Sequence, residues 1–138
     1  IIRRMVRDLN LAVDVVVAPT VREADGLALS SRNTYLAPEA RTRALALSRG
    51  LFAAEAAFKD GERRAEVLRQ TARAQLGEAD ELKYLELVDT QTLDPLAGEL
   101  TRPGALCVAA RVGRTRLIDN VILSPTDEGV SFLHLDPL

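Results

Sequence analysis

The 138-residue sequence predicts an α+β fold: helices packed on a small, mainly antiparallel three-stranded sheet, preceded by the last helix–strand pair of a doubly wound sheet. Three observations lead there. Apolar residues recur at helical spacing between residues 38 and 76. The period changes to two after residue 80, and runs of helix followed by runs of strand indicate an α+β unit. Near the start, the β-branched run Val13-Asp14-Val15-Val16-Val17 leads directly into a polar loop.

Taken in order, Ile2, Met5, Val6 and Leu9 fall on one helical face, and Asn10 is a stop for that helix. Residues 13–17 read as a buried strand, so the pair is expected to belong to a larger sheet whose earlier strands are missing. Pro38 suits the first position of a helix, where its absent N–H costs nothing. Ala40, Ala44, Leu47, Leu51, Ala54 and Phe58 then form one apolar stripe, which Asp60-Gly61 ends. A second amphipathic segment runs through Val67, Leu68, Ala72 and Leu76 and stops near Gly77. Both stripes read as core packing. Residues 83–88, 105–112 and 115–123 alternate as strands, with Gly113-Arg114 joining the last two in a hairpin. Asp94-Pro95 and Arg102-Pro103-Gly104 punctuate the longer connection before them. The expected division is 1–27 as the end of one domain, 28–124 as an α+β domain, and 125–138 as a peripheral tail.

Composition narrows the function classes. A net charge of −2 gives no field that would favour nucleic acid or an anionic membrane. No apolar stretch approaches the roughly 18 residues needed to cross a bilayer. Cys107 lies in an apolar run and reads as a buried core residue; as the one cysteine it excludes an internal disulfide. His134, the one histidine, lies in the tail and cannot form a zinc cluster or a Ser-His-Asp arrangement. There is no Gly-x-Gly-x-x-Gly or Walker-type loop, and Tyr and Phe are too few for a base-stacking surface. These features fit a cytoplasmic protein.

The chemistry concentrates in Pro19-Thr20-Val21-Arg22-Glu23-Ala24-Asp25-Gly26-Leu27-Ala28-Leu29-Ser30-Ser31-Arg32-Asn33-Thr34-Tyr35-Leu36. In open α/β sheets the ligand crevice lies beyond the carboxyl ends of the strands, where this loop is expected. Two hydroxyls and a guanidinium supply hydrogen-bond donors to an anion, polyphosphate above all. Plainer readings stand beside this one: Ser30 as a loop hydrogen bond, Ser31 as a helix cap, Arg32 as a surface ion pair and Val21 as packing. Arg22 and Glu23 read as an exposed, mutually compensating pair, and Asp25-Gly26 as the turn that aims the loop. Asn33 either orients Arg32 or terminates the loop. Asp119 and Asn120 interrupt the last strand on opposite faces, and a buried hydrogen bond to backbone is the expected reason.

That loop closely resembles the signature of the pantothenate synthetase (pantoate:β-alanine ligase) family. Tyr84-Leu85-Glu86-Leu87 and Thr115-Arg116-Leu117-Ile118-Asp119-Asn120 resemble its later landmarks, in the same order, so the likeness covers about residues 1–123. The resemblance implies the C-terminal portion of such an enzyme, with residues 1–27 a remnant of its Rossmann-like nucleotide-binding domain and 28–124 its closing domain. It further implies ATP with Mg²⁺ as co-substrate, pantoate and β-alanine as substrates, a pantoyl-adenylate intermediate, and a homodimer when full length. Ser30, Ser31 and Arg32 would match the family's counterpart of the Lys-Met-Ser-Lys-Ser loop of class I aminoacyl-tRNA synthetases and bind the phosphates. Leu29 would line the nucleotide pocket, and Val21 would meet adenine through its backbone. No protein metal ligand is expected. The family's paired histidines, its pantoate-binding glutamines and its Gly-x-Lys-Asp motif have no match here, so this chain alone is expected to be inactive. Alternatives are a related adenylate-forming or nucleotidyl-transferring enzyme, or a non-catalytic nucleotide-binding or partner module.

Overall fold

The structure, a computed structural model, describes residues 1–125; the expectations for the rest of the tail and His134 lie outside the described residues. Its elements are α1 (Ile2–Asp8), α2 (Pro38–Lys59), α3 (Ala65–Ala74), β1 (Glu81–Asp89), β2 (Gly104–Val112) and β3 (Thr115–Leu123), with 3₁₀ turns at Ser31–Tyr35 and Leu76–Glu78. The strands form one antiparallel sheet in the order β1-β2-β3. Val112 pairs with Thr115 across a two-residue turn in which Gly113 has φ +58°, so the first turn position takes the left-handed conformation that glycine adopts without strain. The expected α+β arrangement of helices on three antiparallel strands is present.

The two periodicities explain the packing. On α2 the stripe Ala44, Leu47, Leu51, Ala54 and Phe58 is buried, with Ala40 at its partly exposed edge. It meets Ala65, Leu68 and Ala72 of α3 and the inward residues Leu85, Leu87, Leu106, Val108, Val112, Leu117 and Leu123 of the sheet. Burying a leucine or valine side chain stabilises by about 1.5–3 kcal/mol, so this single cluster holds the helices to one sheet face. Gly50 sets the distance between α2 and α3: a Cβ there would stand 2.8 Å from the Ala72 carbonyl oxygen. Overpacking costs about 1–3 kcal/mol, against a helix-propensity gain of about 1 kcal/mol for Gly→Ala. Gly50→Ala is therefore expected to lower the urea midpoint without changing its m-value. A midpoint at or above wild type would show that the helices separate freely.

The start of the chain departs from expectation. α1 forms and ends at Asn10, whose φ is +49° while Leu11 N–H donates to Val6 O at 3.0 Å, the six-residue closure of a helix C-terminus. Its apolar face, however, is open, with Ile2 and Leu9 each 63% exposed. Residues 13–17 do not form the expected buried strand: Val16 is 90% exposed. A strand exists only where a neighbour takes its N–H and C=O groups, and no described strand lies beside this run. The helix–strand pair of a doubly wound sheet is thus not formed among the described residues. Cys107 also differs from its expected core position. It is only part-buried, because it points to the sheet face away from the helices, and that partial burial raises its thiol pKa. No described helix is long and apolar enough to cross a membrane.

Candidate functional site

The loop between residues 18 and 37 is a braced structure rather than a free one. Arg22 and Ala28 form an antiparallel bridge: Glu23 N–H donates to Leu27 O at 2.8 Å, and Leu29 N–H to Val21 O at 2.9 Å. Asp25-Gly26 makes the reversal as expected, with Gly26 at φ +91° and its N–H on Glu23 O. Leu27, only 4% exposed, then plugs into the core and fixes the loop's depth.

Polar ties fix the loop's orientation. Arg41, in the first turn of α2, donates from Nη2 to Glu23 Oε2 at 2.6 Å and to Asp25 Oδ2 at 2.7 Å, and from Nε to Asp25 Oδ2 at 2.9 Å. Buried Asn33 donates from Nδ2 to Glu23 Oε1 at 2.6 Å and to Ala28 O at 3.0 Å, while its Oδ1 is buried without a donor. Asn33 thus stitches the loop to itself, and its side chain holds Glu23 and Ala28 rather than Arg32. Arg22 and Glu23 are not an exposed mutual pair. Arg22 reaches across 97 positions to Asp119, with Nη1 on Oδ2 at 2.7 Å and Nη2 on Oδ1 at 3.0 Å, and its guanidinium lies 4.7 Å from the Phe52 ring centroid. Asp119 does accept a backbone hydrogen bond, from Asn120 N–H at 2.7 Å, but its main partner is this guanidinium.

The carboxylates of this brace titrate low. The amide of Asn33 and then the Arg41 guanidinium hold the Glu23 carboxyl below its usual range; Arg41 and then the Leu27 N–H do the same for Asp25. A lowered folded-state pKa gives stability that is present above the unfolded value and lost as pH falls through the folded one. Stability should therefore fall as pH drops below about 4, and Arg41→Ala should flatten that slope. Glu62, held at about 2 chiefly by Arg64, is untouched by the change and supplies the residual slope together with Asp8, Glu81 and Asp89, each also lowered by its own partners. Urea midpoints measured between about pH 6 and 2.5 test this, a window that brackets the ordinary carboxylate range; identical slopes in both proteins would remove Arg41 from the role.

The braced loop presents its tip to two adjoining clefts. Ser30 caps the 3₁₀ turn at Ser31–Tyr35, accepting from Arg32 N–H at 3.2 Å, so Ser30 rather than Ser31 is the capping residue. Accepting leaves the hydroxyl hydrogen free to donate. Leu29, Ser30 and Arg32 line the smaller cleft, of about 220 Å³, together with Arg116 of β3. Arg32 also lines a larger cleft of about 530 Å³ with Tyr35, Arg114, Thr115 and Arg116. Of the expected site residues, Leu29, Ser30 and Arg32 are brought together, whereas Val21 and Ser31 are exposed and line neither cleft. Sequence reasoning missed Arg114 and Arg116. The alternation of β3 does put Arg116 on the face opposite Leu117, but only the tertiary fold brings Arg116 beside the loop.

Known proteins resemble this chain closely. The sequence model described as pantoate-beta-alanine ligase matches residues 1–122. Pantothenate synthetase 1 of Bradyrhizobium diazoefficiens is 60% identical over 124 residues, covering 90% of this chain and 44% of the relative. Pantothenate synthetase of Myxococcus xanthus is 54% identical over 126 residues, covering 89% of this chain and 43% of the relative. The crystal structure of pantothenate synthetase from Thermus thermophilus superposes with a TM-score of 0.81 at 42% identity, covering 90% of this chain and 45% of that one. The chain thus spans under half the length of the relatives it matches. With residues 1–122 under the family's description and 90% of the chain superposing on a solved member, the chain belongs to the pantoate–β-alanine ligase family.

Proposed function

We propose that this chain is the C-terminal, phosphate-binding and closing part of an enzyme that condenses pantoate with β-alanine using ATP. In the first step a pantoate carboxylate oxygen bonds to the α-phosphorus and the bond to the β-phosphate oxygen breaks, giving pantoyl adenylate and pyrophosphate. In the second, the β-alanine amine bonds to the acyl carbon, the acyl–phosphate bond breaks, and pantothenate, AMP and a proton leave. The observation that carries the reading is the braced loop, which opens Ser30 and Arg32 onto two adjoining clefts where Arg114 and Arg116 add further guanidiniums. Donors fixed in advance stabilise the charge that builds up in adenylation without reorganising during it.

In this reading Arg32 follows the phosphates, Ser30 and Ser31 donate hydroxyls to them, Leu29 walls the nucleotide and the Val21 backbone meets the base. The cleft groups suit phosphate oxygens and not a cation, so Mg²⁺ would come on the triphosphate, its common mode of binding. Residues 1–27 would belong to the nucleotide-binding part and 28–124 to the closing domain, with Arg22 and Leu27 as the attachment between them. The family resemblance supports a complete enzyme that is a cytoplasmic homodimer.

The test is a chimera in which this chain replaces the matching segment of the Bradyrhizobium relative. AMP release that requires both pantoate and β-alanine is expected, with none above background from the 138-residue chain alone. A folded chimera that adenylates no pantoate would sink the assignment.

A further inference from the structure

Arg32, Arg114 and Arg116 line one cleft, and none of them pairs with a carboxylate of the described residues. Five arginines elsewhere are tied: Arg22, Arg41, Arg64, Arg102 and Arg111 each hold a carboxylate at 3.1 Å or less. A shortage of acid does not explain the contrast, since 20 acidic residues face 18 basic ones in this chain. The carboxylates nearest the β2–β3 hairpin are already engaged. Glu81 takes Arg111, which sits directly across the ladder from Arg116, and Asp80 accepts from Gly113 N–H at 2.5 Å and from Arg43. Three uncompensated guanidiniums around one concavity raise the local potential and attract a polyanion, more so than three scattered over a convex surface.

We propose that Arg114 and Arg116 carry the phosphate site of Arg32 across the cleft, so that the hairpin holds the β- and γ-phosphates while the Ser30–Arg32 loop holds the phosphate at the bond that breaks. This rests on the phosphate reading of the loop and adds a second element to it. Planar guanidinium forks bind phosphate oxygens in pairs, and a cleft of about 530 Å³ accommodates a triphosphate. The hairpin joins β3, whose Asp119 grips Arg22. Holding the terminal phosphates would therefore draw together the two strand-linked elements that flank the cleft.

Titration calorimetry of the full 138-residue chain with inorganic tripolyphosphate, ATP and AMP tests this. Arg114→Gln and Arg116→Gln should each weaken tripolyphosphate and ATP about ten-fold or more, the scale of one charge-assisted hydrogen bond, and leave AMP unchanged. Arg73→Gln, an unpaired arginine at the end of α3, should change nothing. Arg114 is at an exposed turn position, so its variant carries the test should Arg116→Gln fail to fold. If Arg32→Gln weakens tripolyphosphate and the hairpin variants do not, the hairpin inference is overturned and the loop reading stands. If the hairpin variants weaken it and Arg32→Gln does not, the hairpin site is supported and Arg32 loses its phosphate role. No binding of tripolyphosphate by wild type at millimolar concentration, or an equal loss in Arg73→Gln, overturns the inference.

Discussion

Arg32→Ala in the chimeric ligase is expected to slow adenylation by about 10²–10³-fold, roughly 3–4 kcal/mol, the usual cost of one preorganised donor at a site of developing charge. Arg32 is exposed and unpaired with any described carboxylate, so its removal leaves no buried charge behind and the fold should survive. Arg32→Lys should recover only part of the rate, because one ammonium cannot reproduce a planar fork of donors. The loss should appear mainly in pyrophosphate release. Reaction of preformed pantoyl adenylate with β-alanine has no pyrophosphate to leave and should slow far less. Timing the two half-reactions separately in wild type and variant is the measurement. Equal losses in both would mean that Arg32 shapes the site as a whole, and no loss in adenylation would leave the loop with a structural role alone.

The elements that were legible in the sequence are those whose partners lie close in the chain or on a periodic face. The stripe from Ala44 to Phe58 and the alternation of Thr115–Leu123 contain their own packing instructions, and both elements appear where the periods place them. Residues 13–17 show the limit of that logic: β-branched composition gives a strand only with a neighbour to pair with, and no described segment supplies one. At the site, the loop motif identified Leu29, Ser30 and Arg32, which do share a cleft. The bracing was not legible. Glu23 next to Arg22 looks like a pair in sequence, yet each turns to a partner on another element, Arg41 on α2 and Asp119 on β3. Local charge balance cannot distinguish these arrangements, because the choice is made by which side of the loop Leu27 buries.

Asp119→Ala is expected to cost stability on the scale of truncating a buried core leucine. The side chains of Arg22 and Asp119 are 18% and 3% exposed, so removing the carboxylate leaves a largely buried guanidinium without its counter-charge. Breaking a buried pair by deleting one partner costs about 3–5 kcal/mol, which in a domain of this size lowers the melting temperature by roughly 10 °C or more. Phe52 still faces the cation, but an aromatic ring contributes only about 0.5–2 kcal/mol and cannot replace two hydrogen bonds. The damage should begin locally. Amide exchange should accelerate first at Glu23 and Leu29, whose N–H groups close the bridge that Arg22 anchors. Arg22→Met combined with Asp119→Leu should restore most of the stability, since apolar residues of similar volume often match a buried ion pair. The double variant should still bind tripolyphosphate more weakly than wild type if the pair also aims the loop at the cleft. A loss below about 1 kcal/mol in Asp119→Ala, the range of an exposed pair, would show that Leu27 alone seats the loop and that the Arg22–Asp119 contact merely accompanies it.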